Sequence, residues 1–241
     1  MRGGSDMIVY GLSMFFQERS TQAEYFDQPL QNISRTAERY AELRRLNRIF
    51  RFSHPFRDVL PGLIGEQNCS QLTLLDLGAG DGSLGEELTN WAARRGWQWQ
   101  VTNLDLDPQA LQLSKNPNNV IGDMRAVPFA DNSFDVVITS QTTHHLTTDA
   151  DVIQHFREAW RVARRGVLIS DLHRNAGLYA LVWASSRLLF LSDEIKFDGP
   201  LSVRRGFHLP EWRRFAAEAG ISNASVSLYY GTRILLAARK S

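Results

Sequence analysis

The chain has 241 residues, 43% of them hydrophobic, and its 27 basic and 26 acidic side chains leave a formal net charge of +1. That length supports one full-sized core with an appendage rather than two equal halves. The balanced charge gives no sign of the basic face that nucleic-acid binding requires, so no nucleic-acid partner is expected. The lone Cys69 excludes an internal disulfide, and no Cys/His set has zinc spacing, so no metal is expected.

Met1–Ser20 has no continuous apolar run before a small-residue cleavage site, which argues against secretion and for a cytoplasmic protein. Arg2-Gly3-Gly4-Ser5 has the look of an appended leader, with Met7 the natural start. Tyr25–Ile64 reads as helical: Ala37, Tyr40, Leu43, Leu46, Ile49 and Phe50 recur at helix spacing, with Arg44, Arg45 and Arg48 between them. Pro55 should end or redirect that helix. Pro61-Gly62 and Gly65 lead into a polar joint, Glu66–Gln71.

Beyond the joint, strands and helices alternate. Leu72–Leu77 is a short strand closed by Gly78, and Leu84–Arg95 is a helix. Trp97–Leu104 is a second strand, followed by a helix from Pro108 to Lys115. Val120-Ile121 is a brief third strand. Phe134–Thr139 is β-branched and continuously apolar, as in a strand covered on both faces. Ala150–Val162 is a helix and Val167–Ser170 a strand. Arg174–Leu191 is an apolar, aromatic helix, interrupted by Ser185, Ser186 and Arg187 and shorter than the ~20 residues a membrane span needs. Pro210–Ala219 is a short helix, and Ala224–Tyr230 and Arg233–Ala238 form an antiparallel pair. The fold expected is α/β: a Rossmann-like, seven-stranded, mostly parallel sheet with an antiparallel last strand and helices on both faces. Residues 1–66 form an N-terminal helical cover and residues 67–241 the main domain, with a helical insert at about 174–210.

Residues 74–85 read Leu-Leu-Asp-Leu-Gly-Ala-Gly-Asp-Gly-Ser-Leu-Gly, a strand that turns through glycines into a helix. Ligands bind in the crevice at the carboxyl ends of such strands. The segment Gly80–Gly85 also satisfies the dinucleotide pattern G-x-G-x-x-G. The charges decide between ligands. Asp76 and Asp81 flank the glycines and would repel a pyrophosphate, whereas S-adenosylmethionine (SAM) carries an ammonium and a sulfonium. Asp105 closes the second strand about 20 residues on, where an acid accepts from the ribose hydroxyls. Asp107 is expected to cap the helix opened by Pro108. Asp123, after the third strand, is placed to accept from the adenine amino group, with Met124 against the ring; a plain turn aspartate is the alternative.

Leu74–Gly85, Asp105, Gly122–Met124 and Phe134–Leu146 resemble, in order, the motifs of class I SAM-dependent methyltransferases, small-molecule branch. Gly122-Asp123, Val127-Pro128-Phe129, Asp131, Ser133–Val137 and His144-His145-Leu146 are most similar to the ubiquinone/menaquinone-pathway type. The resemblance is strong over residues 72–171 and weak elsewhere. It implies SAM as cofactor, no metal, and contacts from Asp76, Gly78 and Gly80 (methionine part), Asp105 (ribose), and Asp123 and Met124 (adenine); Ala79, Leu106, Ser140 and Gln141 are further candidate cofactor contacts, with an acceptor contact or a solvated loop position as the alternatives for Gln141.

The acceptor is less legible. There is no Asn/Asp-Pro-Pro-Tyr string, and Cys69 lies before the first strand, so neither amide N-methylation nor covalent pyrimidine chemistry is indicated. Methyl transfer needs alignment and exclusion of water, plus a base if the acceptor is a phenol or enol. A phenol titrates near 10 and histidine near 6.5, so His144, His145 and His173 are the candidate bases, with His208 weaker and no protein base as the alternative. The walls of the acceptor pocket are expected from Tyr25, Phe26, Tyr40, Asn47, Phe50 and Phe52 and from Leu178–Phe190, although most of these residues are expected simply to bury one another. Arg204-Arg205 reads as solvated, with a substrate carboxylate as the alternative partner. The expectation is a methyltransferase acting on a hydroxyl of a phenolic, polyketide-like, quinone-precursor or lipid-like molecule, as a monomer or homodimer. C-methylation, an NAD(P)-dependent oxidoreductase and a SAM-fold scaffold without activity are the rivals.

Overall fold

The computed structural model describes residues 15–28 and 32–240; the leader-like residues 2–5 fall outside them. After a 3-10 turn at Tyr25–Asp27 come α1 (Ile33–Ile49) and α2 (His54–Ile64). The alternating core follows: β1 (Gln71–Leu77), α3 (Ser83–Ala93), β2 (Gln98–Asp105), α4 (Pro108–Gln112), β3 (Asn119–Ile121), β4 (Phe134–Ser140), α5 (Asp149–Val162) and β5 (Ala163–Leu172). Then come α6 (Ala176–Leu188), α7 (Asp193–Arg205), α8 (Leu209–Glu218), β6 (Ser225–Tyr229) and β7 (Arg233–Arg239).

The strands form one seven-stranded sheet in the order β3-β2-β1-β4-β5-β7-β6. β1 to β5 pair in parallel, and β7 runs antiparallel to both β5 and β6. The order reverses beside β1, whose carboxyl end therefore faces the crevice between two outgoing connections. Both faces are covered, which matches the unbroken burial of β4 from Phe134 to Thr139. On one face Phe56 and Leu60 of α2 and Leu88 and Trp91 of α3 pack on Leu74 and Val136. On the other, Phe156 of α5 and Trp212 of α8 pack on Val137 and Ile169. Among the described residues no helix is long and apolar enough to cross a membrane.

Several boundaries differ from expectation. Pro55 does redirect the chain, but as a first-turn residue of α2. Pro61-Gly62 lie inside that helix, which ends at Ile64 as expected: burial of Leu60 and Ile64 carries it on to Gly65, whose φ of +87° stops it. β5 begins at Ala163, earlier than its apolar run, because Arg164 and Arg165 both reach the Asp135 carboxylate at 3.1 Å. α4 ends at Gln112 instead of Lys115.

Phe156 is fully buried, edge-on to Trp212 at 5.4 Å. Phe156→Ala should lower the free energy of unfolding in urea by about 3–5 kcal/mol through the cavity it leaves.

Candidate active site

β1 delivers the chain to a tight turn at its carboxyl end. Gly78 and Gly80 take left-handed backbone, with φ of +71° and +56°. A Cβ at Gly78 would stand 2.2 Å from Thr142 Cγ2, so only glycine fits there. Thr142 Oγ1 donates to Gly78 O at 3.0 Å, which fastens the β4 exit loop to the glycine turn. On the other side, the Gly78 and Ala79 N–H groups donate to Leu104 O at 2.8 and 3.1 Å.

The turn opens into a cavity of about 1050 Å³. Asp76, Gly78, Ala79, Gly80, Asp105 and Leu106 line it, as do Asp123, Met124, Ser140 and Gln141. All ten residues expected around the donor thus share one cavity. Asp105 accepts from the N–H groups of Gly80 at 2.7 Å and Asp107 at 2.9 Å, so it shapes the turn as well as facing the cavity. Asp107 caps α4 by accepting from Gln109 N–H at 2.9 Å, as expected. Burial, with the charges of Asp105 and Asp81 behind it, pushes the Asp76 carboxyl well above the usual carboxylate range. Its Oδ2 is buried without a protein partner among the described residues, as is Gln141 Nε2. One orphan acceptor and one orphan donor suit an amino acid's ammonium and carboxylate.

Two charges are not as free as the sequence suggests. Arg44 of α1 pairs with Asp81, so Asp76 and Asp105 are the carboxyl groups left to meet a ligand at this end of the cavity. Arg125 grips Asp123 with contacts of 2.7–3.0 Å and holds its carboxyl below the usual range. Asp123 is thus ionised but shared.

The other end of the cavity carries His144 and His145, on a 3-10 turn after β4. Each imidazole is held by a carboxylate: His144 Nδ1 lies 2.7 Å from Asp171 Oδ1, and His145 Nδ1 lies 2.6 Å from Asp27 Oδ1. Ionised carboxylates only accept, so both rings donate through Nδ1, and in the neutral ring the lone pair then falls on Nε2. Between the Nε2 atoms stands Glu24, 2% exposed, with oxygens 3.9 Å from His144 and 4.0 Å from His145. Burial raises its carboxyl to about 7.

Arg205 is 1% exposed and not solvated as expected: α7 turns it inward while Arg204 lies over the Phe15 ring. Its guanidinium pairs with Asp27 at 2.5 Å and donates to the His144 and His145 carbonyls at 3.2 and 3.0 Å. His173 is not brought to the cavity. Its Nδ1 contacts Gly231 O at 3.2 Å and its ring packs edge-on to His208. Phe26, Asn47, Phe50, Phe52, Leu178 and Val182 line the cavity as expected, and Tyr40 does so over Gly80, its ring closing on the donor end. Tyr25, Leu181, Trp183 and Phe190 do not line it; Phe190 is 91% exposed. Sequence reasoning missed Glu24, Asp27, Asp171 and the inward role of Arg205. Only Asp171, at the end of a strand, carried a positional signal.

Residues 75–170 match the family described as "Methyltransferase domain". That stretch runs from β1 to β5, so the likeness to methyltransferases rests on the alternating core. Two curated relatives are demethylmenaquinone methyltransferases: one from Roseiflexus sp. (strain RS-1), 35% identical over 101 residues and 41% of each chain, the other from Roseiflexus castenholzii, 45% identical over 53 residues, 22% of this chain and 21% of that one. The matches therefore span less than half of the relatives' length. The plantazolicin methyltransferase BpumL, solved with S-adenosylhomocysteine (SAH), superposes with a TM-score of 0.65 at 11% identity, over 86% of this chain and 90% of that one. A SAM-dependent methyltransferase structure from Methanococcus maripaludis does so with 0.58 at 15%, over 93% and 98%. At these identities the likeness is one of fold, and it gives the Rossmann-like methyltransferase sheet.

The raised carboxyl of Glu24 has a consequence for stability. Its folded value near 7 exceeds the ordinary 4.5, so between these values the folded protein holds a proton that the unfolded chain releases. Stability from this group is present at low pH and is lost as pH rises through about 7. In metal-free buffer, Glu24→Gln should flatten the fall in unfolding free energy seen for the wild type between about pH 5 and 8. Parallel curves would show that Glu24 does not titrate there.

Proposed function

We propose that the protein transfers a methyl group from SAM to a hydroxyl oxygen of a flat, largely apolar small molecule: a phenolic, polyketide-like, quinone-precursor or lipid-like acceptor. The observation that carries this reading is a single cavity with a glycine turn and an unpartnered buried Asp76 at one end and two carboxylate-backed imidazoles at the other.

The residues fit the donor. Asp76 Oδ2 accepts from its ammonium, Gln141 Nε2 donates to its carboxylate, and Gly78 and Gly80 let it approach the backbone. Asp105 accepts from the ribose hydroxyls with the lone pairs left over from Gly80 and Asp107. Met124 packs on the adenine, with Leu106 and Ser140 beside the nucleoside, and Asp123 accepts from the adenine amino group while keeping Arg125. SAM, when bound, supplies a methyl carbon activated by positive sulfur, so the protein's task is alignment and exclusion of water. Phe26, Phe50, Leu178 and Val182 bury the acceptor's apolar faces. His145, or His144 deeper in, accepts the acceptor's hydroxyl proton at Nε2, and Asp27 or Asp171 stabilises the imidazolium that results. The relatives named for demethylmenaquinone support a quinone-type acceptor. The protein is placed in the cytoplasm as a monomer or homodimer.

Isothermal titration should show SAM binding and no NADH binding. Asp105→Asn keeps an oxygen for the Gly80 N–H but loses the carboxylate, and it should weaken SAM binding by about 1.5–3 kcal/mol. An unchanged dissociation constant would remove Asp105 from the ribose site. With labelled SAM and a panel of phenols and hydroxyquinones, NMR of the product should show an O-methyl rather than a C-methyl group. On the substrate so found, His145→Ala should lower kcat by about 10²–10⁴-fold and remove the acid limb of the pH–rate profile. A variant with the wild-type rate and profile would clear His145 of that role.

A further inference from the structure

Glu24, His144 and His145 form a cluster that the methyl-transfer reading only half uses. Their ligand atoms lie within 4.8 Å of one another, and all three residues line the cavity. Ser202 Oγ donates to Glu24 Oε2 at 2.9 Å, while Glu24 Oε1 is buried with no hydrogen-bond partner among the described residues. The gaps of 3.9 and 4.0 Å from Glu24 to the two Nε2 atoms are too long for hydrogen bonds. They are close to the separation of two ligands that share an ion: a bond of about 2.05 Å in a tetrahedron puts neighbouring ligand atoms ~3.4 Å apart. The two gaps run from different oxygens, Oε1 to His144 and Oε2 to His145; with one carboxylate oxygen as ligand the three ligand atoms lie within 4.8 Å of one another, and side-chain movement of about 1 Å draws them to that spacing.

The outer contacts point the same way. Both imidazoles present Nε2 inward and give Nδ1–H to a carboxylate, Asp171 for one and Asp27 for the other. That is the arrangement that orients metal-binding histidines and raises their basicity. Asp27, Asp171 and Asp198 add negative charge around Glu24, against which Arg205 Nη1 stands 3.5 Å from Glu24 Oε1. We propose that Glu24, His144 and His145 bind one divalent transition-metal ion, of the zinc class, with a coordination position open to the cavity. Two nitrogens and one carboxylate oxygen suit that class better than magnesium or calcium, which prefer all-oxygen shells. Resting on the methyl-transfer reading, the open position would take the acceptor's hydroxyl oxygen. A coordinated hydroxyl loses its proton to solvent near neutral pH, so in the loaded protein the ion takes over the role of the free imidazoles.

The test uses Zn²⁺ alone, without donor or acceptor, so it does not depend on methyl transfer. Chelator-stripped full-length protein titrated with Zn²⁺ in a calorimeter should bind one ion per chain. Glu24→Gln and His145→Ala should each weaken binding at least tenfold, while a His173→Ala, His208→Ala double variant should bind as the wild type does. X-ray absorption at the zinc edge of the wild-type complex should show two imidazole nitrogens at about 2.0–2.1 Å, a readout that survives even if a variant misfolds. Affinity no tighter than millimolar, affinity undiminished in Glu24→Gln, or a shell without two histidines would each overturn the proposal.

Discussion

A buried carboxyl group without a partner is the constraint around which the donor end is built. Asp76 is 1% exposed, and its Oδ2 is satisfied by no described protein atom. Leaving such a group unpaired costs about 1–3 kcal/mol, a large fraction of the stability of an ordinary domain. The sheet makes that cost inescapable. Asp76 is paired in register with Asn103 of β2 on one side and Ile138 of β4 on the other, so the backbone cannot carry the side chain out to water. Asp105 and Asp81 add like charge rather than relief. A cationic ligand offsets the penalty and an anionic one deepens it. On the proposed reading, the preference for a positively charged donor is thus a property of strand register, and not of the glycine turn by itself.

The donor end was legible because its chemistry is local. Asp76, Gly78 and Gly80 lie within five residues, and Asp105 and Asp123 follow strand ends that the apolar runs mark out. The acceptor end was not, because its partners are far apart in the chain. Asp27 meets His145 across 118 residues, and Arg205 meets Asp27 across 178. The N-terminal segment has no periodic pattern to announce it. Arg205 misled for a related reason. It has an arginine as its neighbour in sequence, and such a pair reads as solvated, yet a helix turns successive side chains by about 100°, so one can face solvent while the next faces the core.

The helix α7 shows how packing overrides composition. Gly199 and Pro200, residue types that disfavour a helix interior, both lie inside it. A Cβ at Gly199 would stand 3.0 Å from Val182 Cγ1, so the glycine lets α7 close on α6. The neighbouring Asp198 accepts from the backbone N–H groups of Tyr25 and Phe26 at 2.9 and 3.1 Å, which pins the segment that carries Glu24 and Asp27. A sequence that looks like a helix breaker is here the surface on which half of the acceptor site is mounted.

The two ends of the cavity are coupled through the exit loop of β4. Gln141 holds a left-handed backbone, φ +56°, and donates its N–H to Ser170 O at 2.9 Å; Thr142 is fastened to Gly78; the His144 N–H donates to Asp171 at 2.9 Å. Four consecutive residues thus reach from the donor's turn to the acceptor's imidazole with little freedom left, which suits a displacement that demands alignment. The opposite wall is tied by arginines to backbone carbonyls. Arg19 donates to Leu146 O at 2.7 Å and Arg205 O at 3.0 Å, and the buried Arg174 holds Phe16 O and Gln17 O at 2.9 and 3.0 Å. These guanidinium contacts join the segment around Phe16–Asp27 to the histidine loop and to α7. Opening the cavity along that seam would strip several charged donors of their acceptors at once, each at a cost above that of a neutral hydrogen bond. The seam therefore belongs to the fixed part of the site, and the parts free to move for exchange of ligands are the elements not fastened by it.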